Sequence, residues 1–462
     1  MTNKTIVKAA LVAVMALGMQ SCHIYNKFHM SADSQLQRDY VDASKSKIDS
    51  TAFGNMQWQK VFTDPVLAGM IDNALNNNKD LKNAKLNVDM AHAQMQGARL
   101  SYLPSVALAP NAASANYAAS HTGWSSWGYQ VPLAVSWEVD VFGKLLNGKR
   151  GAEASYKQSQ AYEQAVRSQI IAGVANCYYS IAALERQLEL QRATAVLWEK
   201  TVQTMADMKE AGNVNETAVV QSRANYYSIL ASITDLESSL VKANNSMSLL
   251  MNVMPQTWNI SPEAVLAAPR IIREGVPMVE LANRPDIKAA ERAVAVAYYS
   301  TNSARAAFYP GLTITANGGF TNMLGSMVMN PGDWFIQLAG SLSAPLFARG
   351  QNIARLKTAK AQQKQAMNNF EYALMNASAE VSYAMTVWEN SSEKINLLAV
   401  QVDNMSKSVE YTQELLLMGQ ATYLEVLTAQ QGLLQAQMNF INCQLVGTQS
   451  VINLYQSLGG GR

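Results

Sequence analysis

The stretch QNIARLKTAKAQQKQAMNNFEYALMNASAEVSYAMTVWENSSEKINLLAVQVDNMSKSVEYTQELLLM, residues 351–418, contains neither glycine nor proline and is followed by Gly419. As one helix its 68 residues would reach roughly 100 Å, at 1.5 Å per residue. Helices of globular domains usually run about 8 to 20 residues, so an ordinary core does not require such a length. Taken alone, the stretch predicts a long coiled coil.

Apolar residues recur in this stretch at steps of seven, or of three and four. They are Ala359, Ala366, Phe370, Ala373, Ala377, Val381, Ala384 and Trp388. This spacing predicts a coiled-coil seam that packs against a neighbouring helix. Lys, Gln, Glu and Asn fill most positions between, so the opposite face can meet water.

Composition and charge disfavour nucleic-acid binding and give no sign of an enzyme. The 462 residues are 49% hydrophobic and carry a net charge of +2, which falls to zero without Lys4 and Lys8. No basic excess then remains to neutralise phosphate groups. The sequence contains no zinc-ligand spacing, P-loop, G-x-S-x-G or dinucleotide fingerprint, so we expect no metal, no bound cofactor and no catalysis. Cys177 and Cys443 lie in helical patterns, which predicts buried free thiols.

The amino terminus has the pattern of a secretory signal peptide over residues 1–21. Two lysines precede an apolar run at 9–19, which is too short to span a membrane, and Ser21 and Cys22 follow. A cysteine at this place resembles the lipobox of bacterial lipoproteins, which implies a covalent lipid on Cys22. Met19 and Gln20 depart from the usual lipobox residues, and ordinary secretion with an incidental Cys22 is the alternative. Residues 22–54 are predicted to be a lipidated tether.

The mature chain contains one unit twice. Residues of the first copy recur at an offset of 206: Asp80, Leu81, Ala84, Ala91, Ala98, Arg99 and Pro104 match Asp286, Ile287, Ala290, Ala297, Ala304, Arg305 and Pro310. Such duplication is typical of architectures in which the copies complete a shared surface. We place the first repeat at 55–254, a proline-rich crossover strap at 255–285, the second repeat at 286–458 and a short tail at 459–462.

Each repeat contains a pair of predicted strands. Eight apolar residues alternate strictly with other residues at 126–142, with a weaker run at 105–119, and the second repeat has strands at 311–322 and 333–347. A transmembrane barrel and a soluble sandwich both show this alternation. Four strands cannot close a barrel, and open edges are not tolerated in lipid. If the strands span a membrane, copies must associate. Two copies would give eight strands, whose barrel is filled by side chains, and three copies give twelve strands, the next multiple of four, with room for a lumen.

Each repeat continues into a long helical hairpin. We predict one hairpin at 150–254 with its tip at Gly212, and one at 351–458 with its tip at Gly419, because glycine permits the left-handed turn of a helix end. Residues 65–100 precede the first strands and are predicted to be helical. The fold class is therefore a coiled-coil helical barrel with a transmembrane β-barrel. A trimer would supply twelve strands and a tube of twelve helices.

The sequence resembles the TolC-type outer membrane factors, in the NodT-like lipoprotein branch that serves efflux pumps of the resistance-nodulation-division type. The resemblance is carried by Trp58, Phe62, Asp64-Pro65, Leu67, Ala74-Leu75, Asp80-Leu81, Ala84, Gly275-Val276-Pro277, Leu281, Arg284-Pro285-Asp286-Ile287, Gly419, Tyr423-Leu424-Glu425-Val426-Leu427 and Ala429-Gln430. It implies a homotrimeric conduit in the outer membrane with a long periplasmic extension. A periplasmic membrane fusion protein, the adaptor, and an inner-membrane pump are the implied partners.

The resemblance also implies functional residues. The adaptor-docking tips correspond to Gly212, Asn213 and Val214 and to Gly419, Gln420 and Ala421. Glu425 corresponds to an acidic residue that, repeated in three copies, forms a ring at the periplasmic entrance. Thr428 stands where a second acidic residue is expected, so this sequence keeps one acidic ring instead of two. The glycines could instead only terminate helices, and Glu425 could be an ordinary solvated glutamate.

We therefore expect a passive channel of a tripartite efflux system. A structural coiled-coil lipoprotein of the envelope is one alternative, although it does not explain paired strands in both repeats. The outer membrane duct of a type I protein secretion system is the other.

Overall fold

A computed structural model describes residues 24–46, 53–114, 128–266, 278–321, 333–345 and 347–461. The predicted signal peptide and Cys22 lie outside these residues, as does part of the crossover strap. The chain divides into two compact units. The first unit comprises residues 1–32, 86–160 and 289–371, and the second comprises 33–85, 161–288 and 372–462. Each unit draws on both sequence repeats.

The described helices recur in matching pairs along the chain. Two short helices come first, α1 at Gln35–Lys45 and α2 at Trp58–Val61. The first repeat contains α3 Pro65–Asn77, α4 Lys79–Leu100, α5 Lys144–Glu210 and α6 Glu216–Leu250. Helix α7 Met278–Asn283 lies at the end of the predicted strap, and the second repeat contains α8 Pro285–Ala306, α9 Gln351–Leu417 and α10 Tyr423–Ser457. Helices α5 and α9 both have 67 residues, and α6 and α10 both have 35.

The coiled-coil seam predicted on α9 is largely confirmed. Ala359, Phe370, Ala377, Val381 and Ala384 are all buried. Leu374 is buried where the spacing favoured Ala373, which is only half-buried, and the seam continues through Ser391 and Leu398. The step of three or four residues thus holds over most of the helix.

Helix α5 begins at Lys144, six residues before the predicted start of the first hairpin at 150. The Asp140 carboxylate accepts hydrogen bonds from the backbone N–H groups of Leu145 and Leu146, at 3.0 and 2.7 Å. These bonds satisfy amides that have no partner within the first turn of a helix. Gly148 and Gly151 therefore lie inside the helix rather than before it.

Five antiparallel strands form one sheet in the described part of the chain: β1 Ser105–Leu108, β2 Asn111–Ala113, β3 Gly128–Val139, β4 Gly311–Thr321 and β5 Asp333–Ser343. Their order is β1–β3–β4–β5, and β2 also pairs with β3. The strand predicted at 105–119 is interrupted at Ala109 and Pro110, and residues 115–119 of that prediction lie outside the described residues. Pro110 has no N–H to donate to the sheet. The sheet is still four strands wide.

One face of this sheet is apolar across all four strand positions. The register pairs Val135 with Val106 and Ala316, Trp137 with Ile314, Ala316 with Leu338, and Phe320 with Val131 and Trp334. Most large side chains of this face are exposed, and Leu338 reaches 75%, whereas Val135 and Ile314 are half-buried. A soluble sandwich would cover such a face with a second sheet.

The other face is mostly polar. Ser136 pairs with Ser105 and Thr315, Glu138 pairs with Thr313, and Asn317 pairs with Gln337. An exposed apolar face opposite a polar face is the arrangement expected of strands with lipid on one side and water on the other.

No helix of the described residues combines the length and apolar character needed to cross a membrane.

Candidate functional site

The first hairpin tip is a Schellman turn, which closes helix α5. Gly212 has a φ of +77° and donates its N–H to the Lys209 carbonyl at 2.9 Å, while the Asn213 N–H bonds to the Met208 carbonyl at 2.9 Å. These two bonds satisfy carbonyls that would otherwise lack partners at the helix end. Asn215 then caps α6 through its side chain, which accepts the Ala218 N–H at 3.1 Å.

The second tip repeats this turn. Gly419 has a φ of +71° and donates to the Leu416 carbonyl at 3.0 Å, and the Gln420 N–H bonds to the Leu415 carbonyl at 2.8 Å. A Cβ added to either glycine would meet no atom within 4 Å. The glycines are therefore required by their left-handed backbone and not by close packing.

The side chains of the two tips differ although the backbone is shared. The first tip is charged: the Lys209 ammonium pairs with Glu216, and Glu210 is exposed. The second tip is apolar, since Leu417 is 89% exposed and Met418 is 69% exposed. Exposed apolar residues grouped at one place are typical of a surface that contacts another protein.

Residues 423–427 attach the second tip to the first hairpin. Leu427 is buried in a cluster with Ala195, Trp198 and Ile229, and Tyr423 packs against that cluster. Burial raises the pKa of the Tyr423 phenol, while a hydrogen bond with the Thr201 side chain opposes that rise. The resemblance motif at this position therefore includes residues that fix one hairpin to the other.

Glu425 and Thr428 lie on the exposed side of the same helix. The Glu425 carboxylate turns back and accepts the Thr422 N–H through Oε2 at 2.6 Å, which is half of a capping box. The Thr428 hydroxyl donates to the Leu424 carbonyl at 2.8 Å. Glu425 thus has a structural role at the start of α10, and its second carboxylate oxygen remains for another partner.

At the end opposite the tip, one side chain donates a hydrogen bond to the last residue of each hairpin, and we call this contact the root. In the first hairpin the Asn78 amide donates to the carbonyl of Leu250, the last residue of α6, at 3.0 Å. The Asn78 side-chain oxygen also accepts the N–H groups of Asp80 and Leu81. The helix predicted at 65–100 is therefore broken into α3 and α4 at this residue.

The second root uses an arginine at the equivalent position. Arg284 Nη1 donates to the carbonyl of Ser457, the last residue of α10, at 2.7 Å. Its Nη2 also contacts carboxylate oxygens of Asp286 and Glu380, at 2.7 and 2.8 Å. Burial alone would lower the pKa of Arg284, but the hydrogen bonds and charges of the two carboxylates raise it overall.

The two helical cysteines are free thiols, as predicted. Cys443 is buried and Cys177 is half-buried, and burial raises the pKa of both. Within the described residues, no group of three or more His, Cys, Asp or Glu side chains is placed to hold a metal ion.

Comparison with known proteins identifies the family. The chain matches the family described as outer membrane efflux protein over residues 70–253 and 276–460, which is most of its length. The two matched segments correspond to the two repeats.

This chain belongs to the outer membrane efflux protein family.

Relatives of this outer membrane efflux protein match along most of their length. SilC of Salmonella typhimurium, named a probable outer membrane lipoprotein, is 28% identical over 410 residues, which cover 87% of this chain and 88% of SilC. CusC of Escherichia coli strain K12, named a cation efflux system protein, is 25% identical over 450 residues, covering 97% and 98%. A crystal structure of CusC is similar with a TM-score of 0.80 at 24% identity, over 94% of this chain and 98% of that one. The fold is shared.

The protein therefore acts in efflux at the outer membrane, and its family consists of efflux channels rather than enzymes. This localisation explains why the sheet exposes an apolar face. The soluble sandwich is excluded.

Arg284 and Asp64 belong to the motifs that carry the family resemblance, but their roles do not follow from the sequence. Asp64 caps α3 by accepting the Val66 N–H at 2.8 Å and also accepts the Tyr178 hydroxyl at 2.6 Å. Burial and this hydrogen bond raise the pKa of Tyr178. The offset of 206 that relates the repeats also relates Asn78 to Arg284, so the repeat could have pointed to both roots.

Proposed function

We propose that three copies of this outer membrane efflux protein form one passive conduit, which carries substrates across the periplasm and the outer membrane as part of a tripartite efflux system. The supporting observation is the sheet with one apolar face and two unpaired edges. Among the described strands, β5 pairs only with β4, and β1 and β2 pair only with β3. Unpaired backbone groups cost several kcal/mol each in lipid, roughly, so these edges require partner strands.

Association of copies supplies those partners. Three sheets of four strands give twelve strands, which is enough for a barrel with a lumen. The apolar faces would meet lipid and the polar faces would line water. Helices α5, α6, α9 and α10 of three copies would supply the twelve helices of the periplasmic tube.

Cross-linking of the sheet edges tests this assembly. A cysteine at Val106 on β1, combined in turn with cysteines at Ile336, Leu338 and Leu342 on β5, should give disulfide-linked trimers. Val106 combined with Ile314 on the central strand β4 is the matched control and should stay uncross-linked between copies. If every edge pair yields only monomers, and the native mass in detergent is also monomeric, the conduit is excluded.

For the tips, we propose that Gly212, Asn213 and Val214 and Gly419, Gln420 and Ala421 contact the hairpin of a periplasmic adaptor. The two identical Schellman turns support this proposal, because both present the same backbone shape in every copy. The exposed Leu417 and Met418 would add apolar contact area. Tip variants that keep the trimer but fail to retain the adaptor in a pull-down would support docking, and retention by all of them would oppose it.

We propose that Glu425 of each copy narrows the entrance and attracts cations, with Thr428 as a neutral neighbour. The Glu425→Gln variant removes the charge but keeps an oxygen for the Thr422 N–H, so it separates charge from helix capping. Glu216→Gln at the first tip is the matched control. Reduced cation selectivity in planar bilayers for Glu425→Gln alone is the expected result, whereas unchanged selectivity would exclude the gate.

We propose that Cys22 is the first mature residue and carries a covalent lipid. The lipobox resemblance supports this modification. Mass spectrometry of the mature amino-terminal peptide should show a diacylglyceryl adduct, and a Cys22→Ser variant should lack it. An unmodified cysteine would indicate ordinary secretion.

We propose further that the conduit catalyses no reaction and that the inner-membrane pump selects the substrate. Conductance of the purified protein in planar bilayers distinguishes this conduit from a structural envelope lipoprotein, which would not conduct. Retention of a protein-secretion pump instead of an efflux pump would favour the type I secretion alternative.

A further inference from the structure

A cationic cavity lies in the first unit, where the amino-terminal segment meets helices α5 and α8. It has a volume of about 300 Å³. The described residues that line it include four cationic side chains, Lys27, Arg150, Lys157 and Arg292, and one carboxylate, that of Glu153. None of the family motifs above includes these residues.

The positive charge of this cavity is only partly neutralised. Glu153 pairs with Lys157 at 3.2 Å, and Glu291 lies beside Arg292 at 3.8 Å. Among the described residues, two carboxylates within 4 Å of these four cations leave an excess of two positive charges. Such an excess in a pocket attracts anions.

The cavity also offers hydrogen-bond donors. Arg150 Nη1 donates to the Tyr25 carbonyl at 2.8 Å and to the Asn26 carbonyl at 3.4 Å. A guanidinium has five N–H groups, so these bonds do not use all of its donors. The Tyr299 hydroxyl accepts the Phe28 N–H at 3.1 Å, which leaves its own proton to donate. Arginine, lysine and tyrosine donors together suit a phosphate group.

The position of the cavity near the ends of the strands bears on which phosphate could reach it. Strand β3 ends at Val139 and α5 begins at Lys144. Arg150 lies about 9 Å along the helix from Lys144, at 1.5 Å per residue. The head-group layer is about 5 to 8 Å thick on each side of a bilayer. The long side chain of Arg150 can extend back toward that layer. Lys157 lies about 20 Å along the helix from Lys144, so it contributes charge at a greater distance.

The amino-terminal segment is held at the same level. The Asn147 amide donates to the Ile24 carbonyl at 2.9 Å, and the Tyr25 hydroxyl donates to the Val141 carbonyl. The predicted lipid-bearing Cys22 precedes Ile24 by only two residues in the sequence. The described segment that begins at Ile24 is thus held beside the cavity.

We propose that this cavity binds the phosphate of a phospholipid head group in the periplasmic leaflet of the outer membrane. Lys27, Lys157 and Arg292 contribute charge, and Arg150 both holds the amino-terminal segment and donates to the phosphate. Such a bound lipid would fix the depth of the channel in the membrane independently of the covalent anchor.

Native mass spectrometry of the full-length protein tests this site. The probes are dimyristoyl phosphatidylglycerol, dimyristoylglycerol, which lacks the phosphate, and inorganic phosphate as a competitor. The Lys27→Gln/Arg292→Gln variant should bind phosphatidylglycerol about tenfold more weakly, because charge-assisted hydrogen bonds are lost. The matched control Lys357→Gln/Lys360→Gln removes two exposed lysines of α9 that do not line the cavity, and should bind as the wild type does.

A variant that is expected to bind the lipid more tightly gives a further test, because a misfolded protein would lose affinity and not gain it. The Glu153→Gln variant removes the one carboxylate that lines the cavity in the described part of the chain and releases Lys157, so it should bind phosphatidylglycerol more tightly than the wild type. Equal affinity in all variants would overturn the proposal, as would equal binding of dimyristoylglycerol. If inorganic phosphate displaces phosphatidylglycerol and binds as tightly as that lipid does, the cavity is a simple anion site and not a head-group site.

Discussion

The roots of the two hairpins close in the same way with different chemistry. The neutral Asn78 amide holds Leu250 in the first, and the Arg284 guanidinium holds Ser457 in the second, together with two carboxylates. The distribution of charge is reversed at the tips: the hairpin with the neutral root has the charged tip, and the hairpin with the charged root has the apolar tip. The backbone of the repeat is thus kept at both ends, while the side chains specialise each hairpin.

This contrast separates two kinds of requirement. The root must satisfy the carbonyl at a helix end, which either an amide or a guanidinium can do. The tip must turn the chain, which the glycines at Gly212 and Gly419 do alone. Side chains beside the turns are then free to differ according to what each tip contacts.

The largest expected effect is at the charged root. Arg284→Met leaves the Ser457 carbonyl without its partner and two carboxylates without their cation, and should destabilise the protein by about 2–3 kcal/mol. This destabilisation is smaller than the one expected for a fully buried ion pair, because the side chains of Asp286 and Glu380 are 49% and 46% exposed. Asn78→Ala should cost about 1–2 kcal/mol, from one hydrogen bond and one helix cap. Urea unfolding followed by circular dichroism of the helices should therefore give a lower midpoint for Arg284→Met than for Asn78→Ala. Equal midpoints would contradict the expected difference between the two roots.

The next effect is equal at the two tips. Gly419→Val and Gly212→Val each force a branched side chain into a left-handed backbone, which costs roughly 1–2 kcal/mol. Gly→Asn at the same positions should cost less, since asparagine tolerates this conformation. Thermal unfolding should rank valine below asparagine at both tips. A tip that tolerates valine as well as asparagine would not keep its left-handed turn in solution.

A reciprocal exchange tests the side chains. Leu417 and Glu210 occupy equivalent positions, each two residues before the tip glycine. Leu417→Glu should weaken binding of the cognate adaptor about tenfold, as for loss of an interface residue worth more than 1 kcal/mol. Glu210→Leu should have a smaller effect. Neither should shift the unfolding midpoint, because both positions are exposed. Surface plasmon resonance with the adaptor measures this, and equal losses would mean that the tips are used alike.

The smallest effect is the pH response of the first tip. Lys209 lowers the pKa of the exposed Glu216 below its ordinary value of 4.5. A lowered pKa in the folded state contributes stability above the ordinary value, and this contribution is lost as the pH falls through the lowered pKa. Wild type and Glu216→Gln should therefore differ slightly in unfolding midpoint above pH 4.5 and converge as the pH falls through the lowered pKa. High salt should remove the difference, since both groups are exposed. The second tip, with Leu416 and Tyr423 at these positions, has no such ion pair.

Sequence patterns predicted the elements with strong periodicity and failed where a single side chain decided. The α9 seam and both tip glycines follow from residue spacing. The break at Asn78, the early start of α5 at Asp140 and the interruption at Pro110 each depend on hydrogen bonds that spacing does not reveal. The cationic cavity was also missed, because its cations come from positions 27, 150, 157 and 292, which are adjacent only in the folded chain.

The sequence by itself determined the repeat, the long helices, the turns and the alternation of the strands, because these depend on local periodicity and on the conformational range of glycine. It also carried the family resemblance through its motifs. The tertiary structure alone decided that the apolar residues of β1, β3, β4 and β5 align on one exposed face, that Asn78 and Arg284 occupy equivalent roots, and that Glu425 caps a helix. These depend on strand register and on contacts between residues far apart in the chain, which no local pattern contains.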